Sequence, residues 1–166
     1  PGTARELPGR TYTTGTPIRS FAGVDRAAAR ASLGLPADVP VVLVFGGSQA
    51  VRRLNEAVAA ALPDVLDRVA VLHLTGDTAY GEAPRRREAL PEELRDRYRV
   101  FPFLGAEMAG ALVAADLLVG RAGSSTLAEA AAVGLPLVVV PYPHAAAHQK
   151  ANARELSEAG AAVIVA

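Results

Sequence analysis

A chain of 166 residues, 51% of them hydrophobic, is long enough to bury one full core and too short for two domains of equal size. Its 17 basic and 17 acidic residues cancel, which argues against nucleic acid as a partner, because that needs a basic face to displace counterions. Without cysteine there are no disulfides or thiolate metal sites, a reducing compartment is compatible, and no apolar run approaches the roughly 20 residues that span a bilayer. The chain opens Pro1-Gly2-Thr3, with no methionine and no charged-then-apolar leader, so a cut inside a longer protein is expected.

A short edge strand is expected near Thr11–Thr14 and a short helix over Ala27–Leu33. Val41–Phe45 is apolar at every position, as suits a strand buried on both faces. Gln49–Leu62 places Val51, Leu54, Val58 and Leu62 on one helical stripe, and Pro63 is expected to end that helix. Val69–Leu74 is the next strand, and His73 near its end reads as a packed residue rather than a ligand. Gly76–Pro91, rich in Gly, Pro and Arg, reads as a surface loop with Arg85, Arg86 and Arg87 as solvated charges. Strands at Arg99–Phe101, Leu117–Val119, Leu137–Val140 and Ala162–Val165 then alternate with helices over Glu107–Ala114, Ser125–Val133 and His148–Ala159. The last two helices stop at Gly134 and Gly160. This alternation predicts an α/β chain of one domain over residues 1–166, a doubly wound, Rossmann-like parallel sheet.

Ligands of such sheets bind outside the carboxyl ends of the strands, and polar loops fall there. Gly46-Gly47-Ser48-Gln49 follows a buried strand and opens a helix, so it could bring bare amides and a positive dipole end to a phosphate, or be a tight turn capped by Ser48. The fingerprint of dinucleotide-binding enzymes is missing from it. Gly120 to Glu129 repeats the design. Glu129 lies about a turn into its helix, where a carboxylate could take both hydroxyls of a ribose. Thr126 and Glu129 also have the spacing of a capping box, which would turn Glu129 back onto its own helix. In the third loop, His148 and Asn152 share a helix face beside Gln149, offering neutral groups of the kind that read sugar hydroxyls. His144 and His148 make a poor metal pair, with no acid completing the set.

These segments resemble the donor-site motifs of the MurG family of glycosyltransferases. Gly46-Gly47-Ser48-Gln49 with Asn55 is similar to its GGSQG…N segment, with Ala50 where glycine is usual. Arg121-Ala122-Gly123 through Thr126 and Glu129 resembles its R-[SA]-G-x-x-T-x-x-E run, and His148-Gln149-x-x-Asn152 its HQ…N ending. Upstream, Thr14-Gly15-Thr16-Pro17-Ile18-Arg19 resembles TGNPVR. The resemblance implies the C-terminal, donor-binding half of a GT-B glycosyltransferase, with an N-terminal acceptor domain outside this chain.

It also implies site roles. Ser48 and Gln49 would lie in the phosphate loop, with Ser48 holding phosphate, and Arg19 would stand by the diphosphate. Phe103 and Leu104 would border the uracil, Leu104 through its backbone, and Met108 would line that end, although the spacing from Phe103 to Met108 is one residue longer than in the family. Ser124, Ser125 and Thr126 would form the diphosphate-facing helix start, Glu129 would bind the ribose, and Gln149 and Asn152 would address the sugar with His148 beside them. The implied reaction is inverting transfer of N-acetylglucosamine from UDP-N-acetylglucosamine to a lipid-linked muramoyl-pentapeptide, without metal or cofactor. The general base lies in the other domain, and the full-length protein is peripheral at the cytoplasmic face of the membrane. Alternatives are a catalytic subunit that docks on a separate membrane-anchored partner, and another GT-B relative such as a UDP-N-acetylglucosamine epimerase.

Overall fold

The computed structural model of the chain describes residues 9–12, 14–46, 52–141 and 146–165. The elements run α1 (Arg26–Ser32), β1 (Val41–Phe45), α2 (Arg52–Val65), β2 (Ala70–Leu74), α3 (Asp77–Tyr80), α4 (Ala83–Glu88) and β3 (Tyr98–Phe101). They continue α5 (Met108–Ala114), β4 (Leu117–Gly120), α6 (Ser124–Ala132), β5 (Leu137–Val139), α7 (Ala146–Glu158) and β6 (Ala162–Ile164). The six strands lie in the order β3-β2-β1-β4-β5-β6, and every neighbouring pair is parallel. The chain winds outward from β1 to β3 and then crosses back to β4. The order therefore reverses between β1 and β4, and ligands of such sheets bind outside the carboxyl ends of the strands at that switch point.

Two cores cover the sheet. Val41 and Leu43 of β1, with Leu72 and Leu118, pack against Leu33 of α1, Leu112 of α5, Leu127 of α6 and Ala153 of α7. Val44, Val71 and Tyr98 pack on the other face against Leu54 and Leu62 of α2 and against Leu66. Both faces are thus closed, as the unbroken apolar run of β1 requires. Gly134 and Gly160 end α6 and α7 with φ of +66° and +75°, a conformation other residues adopt only at a cost. Among the described residues no helix is long and apolar enough to cross a membrane.

At the amino ends of β1 and β4 a buried guanidinium ties the layers together. Asp25 caps α1 by accepting from Ala28 N–H at 2.7 Å. A turn later Arg30, only 8% exposed, donates to the carbonyls of Ala37 (2.7 Å), Ala114 (3.0 Å) and Val39 (3.2 Å) and to Asp116 Oδ2 (2.7 Å). Asp116 also accepts from Val41 N–H and pairs with Arg26. Partial burial pushes the Asp116 carboxyl up, but the Val41 hydrogen bond and the two arginines outweigh it and hold its pKa below the usual value.

Three sequence expectations are corrected. Pro63 does not end α2, which runs on to Val65. The packing of Leu62 (2% exposed) and Leu66 (0%) outweighs the lost backbone donor, and the Leu66 N–H still reaches Leu62 O. Gly76–Pro91 is not a loop but holds α3 and α4. Pro84 sits in the first turn of α4, where it has no donor to lose, Ala83 is fully buried, and Glu82 pairs with Arg86 one turn on. Of the arginine run only Arg85 is exposed, while Arg87 donates to the carbonyls of Arg95 and Tyr98. Among the described residues, Thr11, Tyr12 and Thr14 add no strand; Thr13 lies outside them.

Candidate functional site

The carboxyl ends of β1 and β4, the two strands at the switch point, frame the candidate site. Phe45 and Gly120 face each other there as register partners, and a side chain at position 120 would put its Cβ 2.7 Å from Phe45 O. Only glycine lets the two backbones meet at this point. Gly120→Ala must either spread the β1–β4 pairing or displace the loop after β4, and is expected to cost about 2–3 kcal/mol. In a chain of this size that is roughly 5–10 °C of melting temperature, readable by calorimetry. A variant melting with the parent would mean that the strands separate without strain at this point.

From Gly120 the chain enters Arg121-Ala122-Gly123 and then α6. Gly123 is the N-cap, extended at φ −67° and ψ 138°, and has no side chain to accept from the helix. Leu127 N–H closes the first helical bond onto Gly123 O, so the amides of Ser124, Ser125 and Thr126 precede the intrahelical ladder. Ser124 and Ser125 are exposed and Thr126 half-buried. The arrangement offers three donors and the positive end of a dipole to an anion.

This geometry decides the role of Glu129. A capping box would need Thr126 as the N-cap, but Thr126 is already inside α6. The Glu129 carboxylate is therefore not its own helix's cap. It is 8% exposed, and Oε1 accepts from Arg19 Nε at 2.7 Å across 110 residues of sequence. Arg19 Nη1 reaches Gly105 O at 3.3 Å, in the loop between β3 and α5. The segment before α1, the β3–α5 loop and α6 thus meet at one ion pair.

That loop carries the residues expected near a base. Phe103 is 73% exposed, whereas Leu104 (7%) and Met108 (5%) put their side chains into the core. What Leu104 can offer a ligand is its backbone. Arg121 donates through Nη1 to Val140 O and Pro141 O, both at 2.8 Å, and so ties the loop after β4 to the loop after β5. Beyond it α7 carries His148, Gln149 and Asn152 on its first turns, with Gln149 and Asn152 half-buried. Ser48, Gln49, Ala50 and Val51 lie outside the described residues, as do Tyr142, Pro143, His144 and the side chain of His148.

Asn55 and His73 belong to a buried network beneath this edge. Asn55 Nδ2 donates to Thr75 O at 2.9 Å, which orients the amide and leaves Oδ1 to accept from His73 Nε2 at 3.0 Å. The proton is then on Nε2, and Nδ1 accepts from the Tyr98 hydroxyl at 3.1 Å. Burial, helped by the charge of Arg86, lowers the His73 pKa to about 4; burial raises that of Tyr98 to about 12. His73 is a packed, neutral residue, as its place on an apolar strand suggests. Its task is to hold Asn55, and so the helix that the Gly-rich loop opens, against the end of β2.

Sequence reading missed the carbonyl of Gly105, the close approach at Gly120 and the two carbonyls held by Arg121. For Gly120 a signal existed, a glycine ending an apolar strand at a predicted ligand edge.

The chain matches the family model described as glycosyltransferase family 28 C-terminal domain over residues 41–166. A UDP-N-acetylglucosamine--N-acetylmuramyl-(pentapeptide) pyrophosphoryl-undecaprenol N-acetylglucosamine transferase of Roseiflexus sp. is 44% identical over 174 aligned residues, covering 94% of this chain and 39% of that protein. The transferase of the same name from Rhodococcus opacus is 46% identical, covering 92% and 40%. Among solved structures, MurG of Acinetobacter baumannii superposes with a TM-score of 0.69 at 30% identity, over 96% of this chain and 45% of that one. A calicheamicin glycosyltransferase at 22% identity and a TM-score of 0.60 shares the fold. The chain spans about two fifths of the length of the curated relatives it matches.

Proposed function

The chain belongs to the glycosyltransferase family 28 C-terminal domains, and from that premise we propose that it is the donor-binding half of a two-domain transferase for UDP-N-acetylglucosamine. The observation that carries this reading is the placing of Glu129, a buried carboxylate released from capping and set one turn behind three amides that precede the intrahelical ladder. A carboxylate for ribose hydroxyls beside donors for a diphosphate is the polarity of a nucleoside diphosphate. On this reading Ser48 and Gln49 with the start of α6 bracket the phosphates. The backbone of Leu104, with Phe103 and Met108, borders the uracil, and His148, Gln149 and Asn152 address the sugar.

In the proposed reaction, an acceptor hydroxyl attacks the sugar carbon with inversion, the bond to UDP breaks, and the hydroxyl proton passes to a base in the N-terminal domain of the longer protein. Negative charge grows on the departing diphosphate, so amides and a dipole fixed toward it stabilise the transition state more than the ground state. These groups take the part a divalent metal plays in other transferases, and no cofactor enters. The acceptor is a lipid-linked muramoyl-pentapeptide, which places the whole protein at the inner membrane surface. The isolated chain binds donor weakly and turns nothing over.

Calorimetric titration with UDP, UDP-N-acetylglucosamine and NADH tests this. The uridine ligands are expected to bind and NADH not, and Glu129→Ala should weaken uridine binding roughly 10- to 100-fold. A folded sample that binds NADH instead, or a Glu129→Ala chain with parental affinity, would sink the proposal.

A further inference from the structure

Arg19 stands in a segment with little packing of its own, since every described residue from Thr14 to Ser20 is exposed. Yet its guanidinium reaches a carboxylate that is 8% exposed. The contact is made by one nitrogen to one oxygen, Nε to Oε1 at 2.7 Å, while Nη1 turns to Gly105 O. A bidentate fork would occupy both carboxylate oxygens; this geometry engages one. Among the described residues Oε2 of Glu129 has no other hydrogen-bond donor.

We propose that Arg19 is the positioning residue for ribose recognition, holding Glu129 by Oε1 so that Oε2 is kept for the sugar hydroxyls. The proposal rests on the reading of Glu129 as the ribose carboxylate, and it gives Arg19 a task that standing near a diphosphate does not require. A carboxylate on a three-torsion arm has several rotamers, and a charge-assisted bond to one oxygen selects among them. Arg19 is itself held by a backbone carbonyl on the loop that bears Phe103 and Leu104, so one side chain joins α6 to the loop proposed to border the base. Lysine cannot reproduce this, because a single ammonium lacks the planar fork that spans two acceptors.

The test is the affinity ratio between UDP and 2′-deoxy-UDP, measured by calorimetry on the parent chain, Arg19→Ala, Arg19→Lys, Glu129→Gln and the double variant Arg19→Ala/Glu129→Gln. The parent is expected to prefer UDP by about tenfold, the value of one charge-assisted hydrogen bond. Arg19→Ala and Glu129→Gln should each bring the ratio close to one, the double variant should fall no further, and Arg19→Lys should recover only part. Affinity for 2′-deoxy-UDP, which keeps its 3′-hydroxyl and diphosphate, should fall less than that for UDP in each variant, whereas a merely structural defect would lower both ligands by the same factor and leave the ratio unchanged. If Glu129→Gln abolishes the preference but Arg19→Ala keeps it, Arg19 does not position the carboxylate and the ribose reading stands. Tighter UDP binding by Arg19→Ala would make the pair a competitor of ribose and overturn the proposal. A preference that survives Glu129→Gln overturns the ribose reading and the proposal with it.

Discussion

Arg30→Met is expected to lower the stability of the chain by about 3–5 kcal/mol, seen as a drop in the urea midpoint at unchanged slope. Methionine fills much of the arginine stem's volume, so the loss isolates the polar contacts from the packing. The guanidinium satisfies the carbonyls of Ala37, Val39 and Ala114 and one oxygen of Asp116. Removing it leaves those acceptors without their donor, at about 1–3 kcal/mol for each that stays dry. Asp116 keeps Arg26 and the Val41 amide, so the carboxylate is not abandoned. Arg30→Lys should rescue little, because three donors on one nitrogen cannot reach acceptors spread over the end of α5, Asp116 before β4 and the loop between α1 and β1. The knot lies at the amino ends of the strands, so UDP affinity of the folded variant should match the parent's. A midpoint within about 1 kcal/mol of the parent would mean that water replaces the guanidinium, as at an exposed site.

Acidification from pH 7 to pH 4.5 is expected to remove about 2–3 kcal/mol through His73 alone. The unfolded chain takes up this proton near 6.5, whereas in the folded chain burial and Arg86 delay it to about 4. Between those values the unfolded state binds more protons, so the stability present above 6.5 is lost as the pH falls. Asp116 acts in a lower window. Its folded pKa lies below 3.8, so its contribution is intact above 3.8 and is lost as the pH drops through the folded value. Urea midpoints of the parent and His73→Gln at several pH values separate the two. Glutamine can donate and accept but does not titrate, so the variant should be flat between 6.5 and 4 and still fall at lower pH. A parent whose stability does not change across the upper window would show that His73 is not held neutral. The consequence reaches the site, because a charged His73 has a proton on Nδ1 as well, where it now accepts from Tyr98. The Tyr98 hydroxyl must then turn from donor to acceptor, and an unpaired charge enters the buried network that holds Asn55 and, through it, the helix after the Gly-rich loop.

Much of the site was legible because the residue types that suit phosphate and sugar gather at strand ends, and the parallel order sends those ends to one edge. The run from Gly120 to Glu129 shows both the reach and the limit. Small residues before a helix suggested an anion end, and in the structure three amides there precede the intrahelical ladder. Glu129 was open between two roles, because the spacing from Thr126 suits a cap on its own helix and its place one turn in suits a ribose. Nothing within ten residues separates them. What the structure adds is its cation, Arg19, 110 residues away in sequence, which the family resemblance put by the diphosphate. Arg30 is the same lesson in the core, an arginine on a short helix that periodicity would leave in solvent, drawn inside by three carbonyls from two separate segments.

Local chemistry dictated the elements themselves. Val41–Phe45 and Leu137–Val139 have no polar face, so a sheet covered on both sides is the arrangement that removes them from water. Gly134 and Gly160 stop their helices because the backbone there turns to positive φ. Long-range packing settled the cases in which a local preference of a few kcal/mol met a larger burial term. Pro63 stays inside α2 because Leu62 and Leu66 are buried around it, and Gly76–Pro91 coils into helices because Ala83 has a core to enter. The pairing of Arg19 with Glu129 is decided the same way: a buried charge takes whichever opposite charge the fold brings near, and chain distance has no part in that choice.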